Sequence, residues 1–229
     1  MVSQLPKSEA TEVFYPDDDG QPMASNTEQY RWIVMIQQNL DCVLVDAFVA
    51  GDLFWYPVEG RPNISVAPDV MVALGRPKGK RLSYKQWEEE NVPPQVVFEI
   101  LSPSNTKREM AAKLLFFNRY GVEEYYLYDT ETKELDGFVR EDLDLVPIED
   151  ISDGWTSPLT KIRFDLSERE LKLFRPDGTP FETYQELIEK AEQAEQKAEQ
   201  AEQKAEQAEQ KALRLAAKLK ALGVDPDQV

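Results

Sequence analysis

The chain contains no histidine and one cysteine, Cys42. Without histidine there are no imidazole zinc ligands, no histidine general bases and no Ser-His-Asp arrangement for nucleophilic hydrolysis. A single cysteine excludes a disulfide framework and points to a reducing compartment, the cytoplasm. No apolar run approaches the roughly 20 residues that span a bilayer, and the N-terminus lacks the basic-then-apolar pattern of a secretion signal. Positive charge is also scarce. Against 43 acids stand 26 Lys and Arg, a formal net charge of −17. Such a balance repels nucleic acid at long range unless basic groups gather locally. What remains is a chain of 229 residues, 41% hydrophobic, long enough for one medium domain with a core of its own and an appendage.

Residues 1–24 are rich in Pro and Asp and read as an extended segment. A helix is predicted from Ser25 or Asn26, either a good N-cap, with Tyr30, Ile33, Val34 and Leu40 near one side. "DAFVAGDLFWYPV" reads as a strand, a kink at Gly51 and a second strand, and "RPNISVAPDVMVALG" as another strand beginning at "APD". Residues 76–94 read as a long loop or short helix. "QVVFEIL" is a strand, "NTKREMAAKLLFFNRYG" a helix stopped by Gly121, and "VEEYYLYDTETKELDGFVR" two strands joined by a turn. Short strands and turns follow Arg140. The pattern predicts a mixed α/β (α+β) domain over 25–183, a sheet flanked by helices.

From residue 184 the composition changes. "AEQAEQK" occurs three times between Ala191 and Lys211. With Ala191 at heptad position a, the a/d seam runs unbroken from Tyr184 and Leu187 through alanines to Leu215, Leu219 and Leu222, a coiled-coil helix over 184–223 with a short tail at 224–229. Lys falls at g and Glu at e. In the repeats no g lysine has a Glu three or four residues downstream, so the favourable pairing within one helix is missing. Between parallel helices Lys190, Lys197 and Lys204 meet Glu195, Glu202 and Glu209, whereas antiparallel helices would set like charges together. A parallel homo-oligomer is therefore the expectation, and a solitary Ala-rich helix the alternative.

Three charges sit where apolar residues are expected. Asp69 follows Pro68 and opens the run "DVMVAL"; Glu99 lies inside "VVFEIL", which reads as a fully buried strand. An ionised carboxylate there is costly unless it is paired or binds a cation. Two acids from adjacent strands suit Mg²⁺, which takes one or two carboxylates together with water and phosphate. Lys113 lies about 60° around the helix from Met110, at the border of the buried stripe. Lys107 and Arg108 occupy the first turn, where the helix dipole disfavours cations unless an anion such as phosphate binds there. Each residue also has an ordinary reading: a turn Asp, a solvent-face Glu, a Lys paired with Glu109 one turn earlier or reaching out to water.

Together the stretches "YPDDDGQPM", "APDVMVALG", "RLSYKQWEE" and "VVFEILSPSNTKREMAAKLLFFNRYGVEEYYLYD" resemble the putative restriction endonuclease family of the PD-(D/E)XK nuclease superfamily, over about residues 15–183. The resemblance implies a restriction-endonuclease-like fold and hydrolysis of phosphodiester bonds in nucleic acid, DNA above all. It makes Asp69 and Glu99 the metal-binding acids, with the Ile100 carbonyl as a further ligand, and Mg²⁺ or Mn²⁺ the ion. The superfamily's lysine slot, two residues after the second acid, holds Leu101, and Lys113 matches the family's lysine on the following helix. Glu109 matches an acidic position one turn before it. Gln29, beside Glu28, stands where the first helix often carries a histidine. Lys107 and Arg108 become substrate contacts. The contrasting reading is a nuclease fold without catalysis, a binding or assembly module that oligomerises through its coiled coil.

Overall fold

The computed structural model describes residues 13–17, 20, 24–168 and 170–221. Much of the expected N-terminal segment 1–24, and the tail 224–229 with Leu222 before it, lie outside the described residues. Asn26 caps helix α1 (Thr27–Val43), its side chain accepting from the Gln29 N–H. The buried stripe of α1 is Trp32, Ile33, Ile36 and Leu40. Tyr30, expected on that side, is 52% exposed; the stripe is rotated so that Trp32 and Ile36 are covered instead. Strand β1 (Ala47–Gly51) ends at the predicted kink and β2 (Trp55–Tyr56) is short. Strand β3 (Val70–Leu74) follows. In 76–94 lie β4 (Tyr84–Lys85) and one turn of 3-10 helix at Gln86–Glu88.

The central unit is β5 (Val96–Leu101), α2 (Lys107–Tyr120) and β6 (Glu124–Asp129). Parallel neighbours need a crossover, and α2 provides it. The helix is capped by Thr106 in a reciprocal capping box with Glu109 and stops at Gly121, whose φ of +90° suits a residue without a Cβ. Strands β7 (Leu135–Glu141) and β8 (Asp144–Pro147) extend the sheet, and β9 (Arg163–Asp165) pairs with β10 (Lys172–Phe174) in a hairpin of its own.

The six-stranded sheet has the order β1-β3-β5-β6-β7-β8, antiparallel except for β5–β6. Side chains alternate between its faces. Val70, Val72, Val96, Phe98, Ile100, Tyr126 and Tyr128 join the α1 core, with Phe164 and Leu173 from the hairpin. Met71, Ala73, Val97, Tyr125 and Leu127 join the α2 core, built around Phe117 and Trp55. By the same alternation Asp69 and Glu99 face α2. This is a mixed α/β domain, a sheet with helices on both faces.

The last helix, α3 (Tyr184–Ala221), belongs to a second unit beginning at Glu182. Thr183 caps it, exchanging hydrogen bonds with Glu186. Tyr184, Leu187 and Leu215 of the predicted seam are exposed. Lys190 pairs with Glu182, and among the described residues Lys197 and Lys204 make no ion pair within the helix, in keeping with the spacing argument. No helix among the described residues is long and apolar enough to cross a membrane.

Candidate active site

The site forms where β3 leaves the sheet. The β3–β5 register, Val70 opposite Phe98, extends to place Asp69 opposite Glu99 and Pro68 opposite Ile100. Pro68 has no N–H, so it cannot continue the ladder. Instead the Pro68 carbonyl accepts from Asp52 N–H at 3.1 Å, and Ile100 is left without a backbone partner on that side. Two side chains replace it. Asp69 Oδ2 accepts from the Ile100 N–H at 2.6 Å, and Gln29 Nε2 donates to the Ile100 carbonyl at 2.7 Å. The Gln29 amide is held from its other end by the Ser25 N–H, which donates to Oε1 at 2.8 Å. The glutamine thus fixes the N-terminus of α1 to the end of β5, and its amide helps to draw the Asp69 pKa down.

Glu99 is 2% exposed, and Lys113 reaches back from α2 to donate to its Oε2 at 2.7 Å. The lysine therefore does not take the ordinary partner Glu109, which is engaged in the helix cap. The other Glu99 oxygen, Oε1, is buried with no hydrogen-bond partner, and so is the Tyr125 hydroxyl. Like-charged residues directly across a strand pair destabilise it, and Asp69 and Glu99 show the strain. Burial, then the Asp69 charge, pushes the Glu99 carboxyl up to about 8 against the pull of Lys113. Burial raises Asp69 to about 6, although the Ile100 N–H and Lys113 draw it down. Burial lowers the Lys113 amine, but the carboxylates of Glu99, Asp69 and Glu109 outweigh it and hold its pKa above the ordinary value.

Of the residues singled out in the sequence, Asp69, Glu99, Ile100, Lys113 and Gln29 come together. Glu28 does not: it accepts from Arg31 and from Trp32 Nε1 at the surface of α1. Glu109 acts on Glu99 and Lys113 only through its charge. Lys107 and Arg108 are exposed in the first turn of α2 and make no ion pair among the described residues. Asp52 and Tyr125 were not foreseen. Asp52, in a left-handed conformation just after Gly51, contributes to the raised pKa of Asp69. Tyr125 feels Glu99 and Asp69, and burial first, then these charges, push its hydroxyl far up. Only the β5–β6 pairing reveals Tyr125, because nothing in "EEYYLYD" says which tyrosine faces α2.

In the basic loop "RPKGKR" (76–81) three of the four basic side chains are paired. Arg81 forms a two-pronged contact with Glu89, Arg76 pairs with Glu90 and Lys78 with Asp41.

The donor set fits a hard divalent cation. It comprises the carboxylates of Asp69 and Glu99 and the neighbouring Ile100 carbonyl, and the orphaned Glu99 Oε1 is the lone pair a cation would satisfy. No group of three or more Asp, Glu or Cys side chains among the described residues could hold a metal by itself, so water and substrate oxygens would complete the shell, as is usual for Mg²⁺.

No curated protein matches the chain. Among solved structures, a putative nuclease belonging to DUF820 from Anabaena variabilis ATCC 29413 is similar at 14% identity, with a TM-score of 0.43, over 58% of this chain and 73% of that one. Residues 31–167, more than half of the sequence, match the Uma2 family, described as putative restriction endonuclease, and the chain belongs to that family.

Proposed function

We propose that the protein is a metal-dependent endonuclease that hydrolyses phosphodiester bonds, with DNA as substrate and Mg²⁺ as the ion. One observation carries this reading. A buried acid, Glu99, is bound on one oxygen by Lys113 and left open on the other, directly across from Asp69. A core that needed only packing would have no use for such a group. Asp69, Glu99 and the Ile100 carbonyl would hold the cation, which would supply polarisation of a phosphoryl oxygen and a lowered pKa of water. Asp69 is oriented for this by the Ile100 N–H, and the Ile100 carbonyl by Gln29. Lys113, with its pKa held up, carries a positive charge at neutral pH and stabilises negative charge growing on the phosphate oxygens. Lys107 and Arg108, exposed at the N-terminus of α2 and without an ion pair among the described residues, would meet the flanking phosphates.

Cleavage assays on DNA with Mg²⁺ and Mn²⁺ test this. Asp69→Asn, Glu99→Gln and Lys113→Ala should each abolish cutting, and activity that survives all three would sink the assignment.

Self-association is the second part of the proposal. The exposed seam of α3 and its g-to-e charge pattern support a parallel coiled coil joining copies of the chain. A single cysteine, exposed and free, suits the cytoplasm. The net charge of −17 and the neutralised basic loop favour one other reading, a catalytically silent assembly module. Failure of the protein to bind Mg²⁺ in calorimetry, together with intact oligomerisation, would favour it.

A further inference from the structure

A second feature adjoins the site. Between the start of α2 and strands β6 and β7 lies a cleft of about 510 Å³. Met110, Leu114, Leu127 and Phe138 give it an apolar lining, and Tyr125 forms the wall toward Glu99. Tyr125 and Phe138 stack, with centroids 5.8 Å apart and planes at 21°. The polar groups are divided between the two ends. Lys107 and Thr106 stand at the helix end, and Asp129, Glu134 and Asp136 at the hairpin end. The sheet register links cleft and site in one row, Asp69 opposite Glu99, Glu99 beside Leu127, Leu127 opposite Asp136. Glu99 and Asp136 are therefore two strand spacings apart, about 10 Å, near the reach of one nucleotide from its phosphate to the far edge of its base.

We propose that this cleft holds one unpaired nucleobase of the substrate, next to the phosphate at Asp69 and Glu99. It follows that the enzyme acts on single-stranded or locally unpaired DNA rather than on intact duplex. The proposal rests on the nuclease reading. The apolar walls and the half-buried Phe138 suit the faces of a base. The carboxylates at the hairpin end accept hydrogen bonds, so they select bases with an exocyclic amino group, and cytosine N4–H₂ is the natural partner of such an acid. A continuous phosphate backbone would be repelled there, and a paired base cannot reach a pocket of this size without leaving its stack.

The test uses the full-length protein with Mg²⁺ and labelled oligo-dC, oligo-dT and the perfect duplex of a mixed sequence, alongside calorimetric titration with deoxycytidine and thymidine monophosphates. The expectation is that single strands are cut at least about tenfold faster than duplex. Deoxycytidine monophosphate should bind at least about fivefold tighter than thymidine monophosphate. Asp136→Asn changes an exposed side chain, so the fold is kept, and should shrink that ratio. Leu114→Trp fills the cleft and should raise KM for single strands about tenfold with little change in kcat. Equal cutting of duplex and single strand, or nucleotide binding indifferent to both substitutions, overturns the proposal while leaving the nuclease reading intact. Absence of cleavage of any DNA, with nucleotide binding that still follows the two substitutions, overturns the nuclease reading and leaves the cleft assignment standing.

Discussion

Replacing Glu99 with Gln should make the metal-free protein more stable, and increasingly so as pH rises. A protonated glutamate and a glutamine are nearly isosteric, and both accept a hydrogen bond from Lys113 through a carbonyl oxygen. At pH 5 the buried Glu99 of the folded protein is protonated, since its pKa is raised from the ordinary 4.5 to about 8. Wild type and variant should then differ little. Between pH 4.5 and 8 the folded chain holds a proton on Glu99 that the unfolded chain has released, so stability falls with rising pH throughout that window. Each unit is worth about 1.4 kcal/mol, and integration from pH 5 to pH 8 gives a loss of about 3 kcal/mol for wild type that the variant escapes. For a chain of this size this corresponds to about 10 °C in melting temperature. Other groups titrate in the same range, Asp69 with a pKa of about 6 among them, so the quantity to measure is the difference between wild type and variant. Urea melts in EDTA at pH 5, 6, 7 and 8 give it directly. A difference that stays constant with pH, or a variant less stable than wild type at pH 8, would refute the reasoning that Lys113 only partly compensates the burial of Glu99 in the free protein.

A divalent cation should reverse the same effect. Mg²⁺ should raise the melting temperature of wild type more at pH 8 than at pH 5, because binding must displace the Glu99 proton, and Glu99→Gln should remove most of the increase. Gln29→Ala should cost about 2 kcal/mol in a denaturant melt, since it leaves the Ile100 carbonyl and the Ser25 N–H without their partner; an unchanged midpoint would mean that the amide is not what fixes α1 to β5. Converting Lys190, Lys197 and Lys204 to Glu should lower the mass seen in sedimentation to that of the monomer by setting like charges against each other at g and e. An unchanged mass would show that association, if present, does not run through that seam.

The parts legible in the sequence were those set by local chemistry. Gly121 and the Thr106–Glu109 pair mark both ends of α2, and the unbroken apolar run of "VVFEIL" announces a strand covered on both faces. The two acids and the lysine were visible as misfits with those patterns. What could not be read was whatever depends on pairing between distant strands. Tyr125 and Asp136 join the neighbourhood of Glu99 only through the β5–β6 and β6–β7 registers. Tyr30 was misplaced because helical period alone leaves the rotation of α1 open by one residue, and the burial of Trp32 against Tyr128, 4.7 Å between ring centroids, settles it. The pairing of the basic loop "RPKGKR" was equally hidden, because its partners Asp41, Glu89 and Glu90 are supplied by α1 and by the turn before β5.

Pro68 connects these observations. In an uninterrupted antiparallel pair, β3 would continue past Val70, its backbone would satisfy Ile100, and Asp69 would have no reason to turn its carboxylate toward β5. A residue without an N–H at that register position leaves Ile100 unpaired on one side, and the vacancy is filled by a carboxylate and an amide instead of by backbone. The same interruption leaves Asp69 across from Glu99 without a ladder to hold them apart, so two acids approach at the point where the sheet opens. Replacing Pro68 with Ala tests this. If the restored N–H draws β3 one residue further along β5, Asp69 loses its Ile100 contact and Mg²⁺ affinity should fall while stability in EDTA is kept or raised. Unchanged metal affinity would mean that the turn before β3 is set elsewhere, with Asp52 and its bond to the Pro68 carbonyl the next place to look.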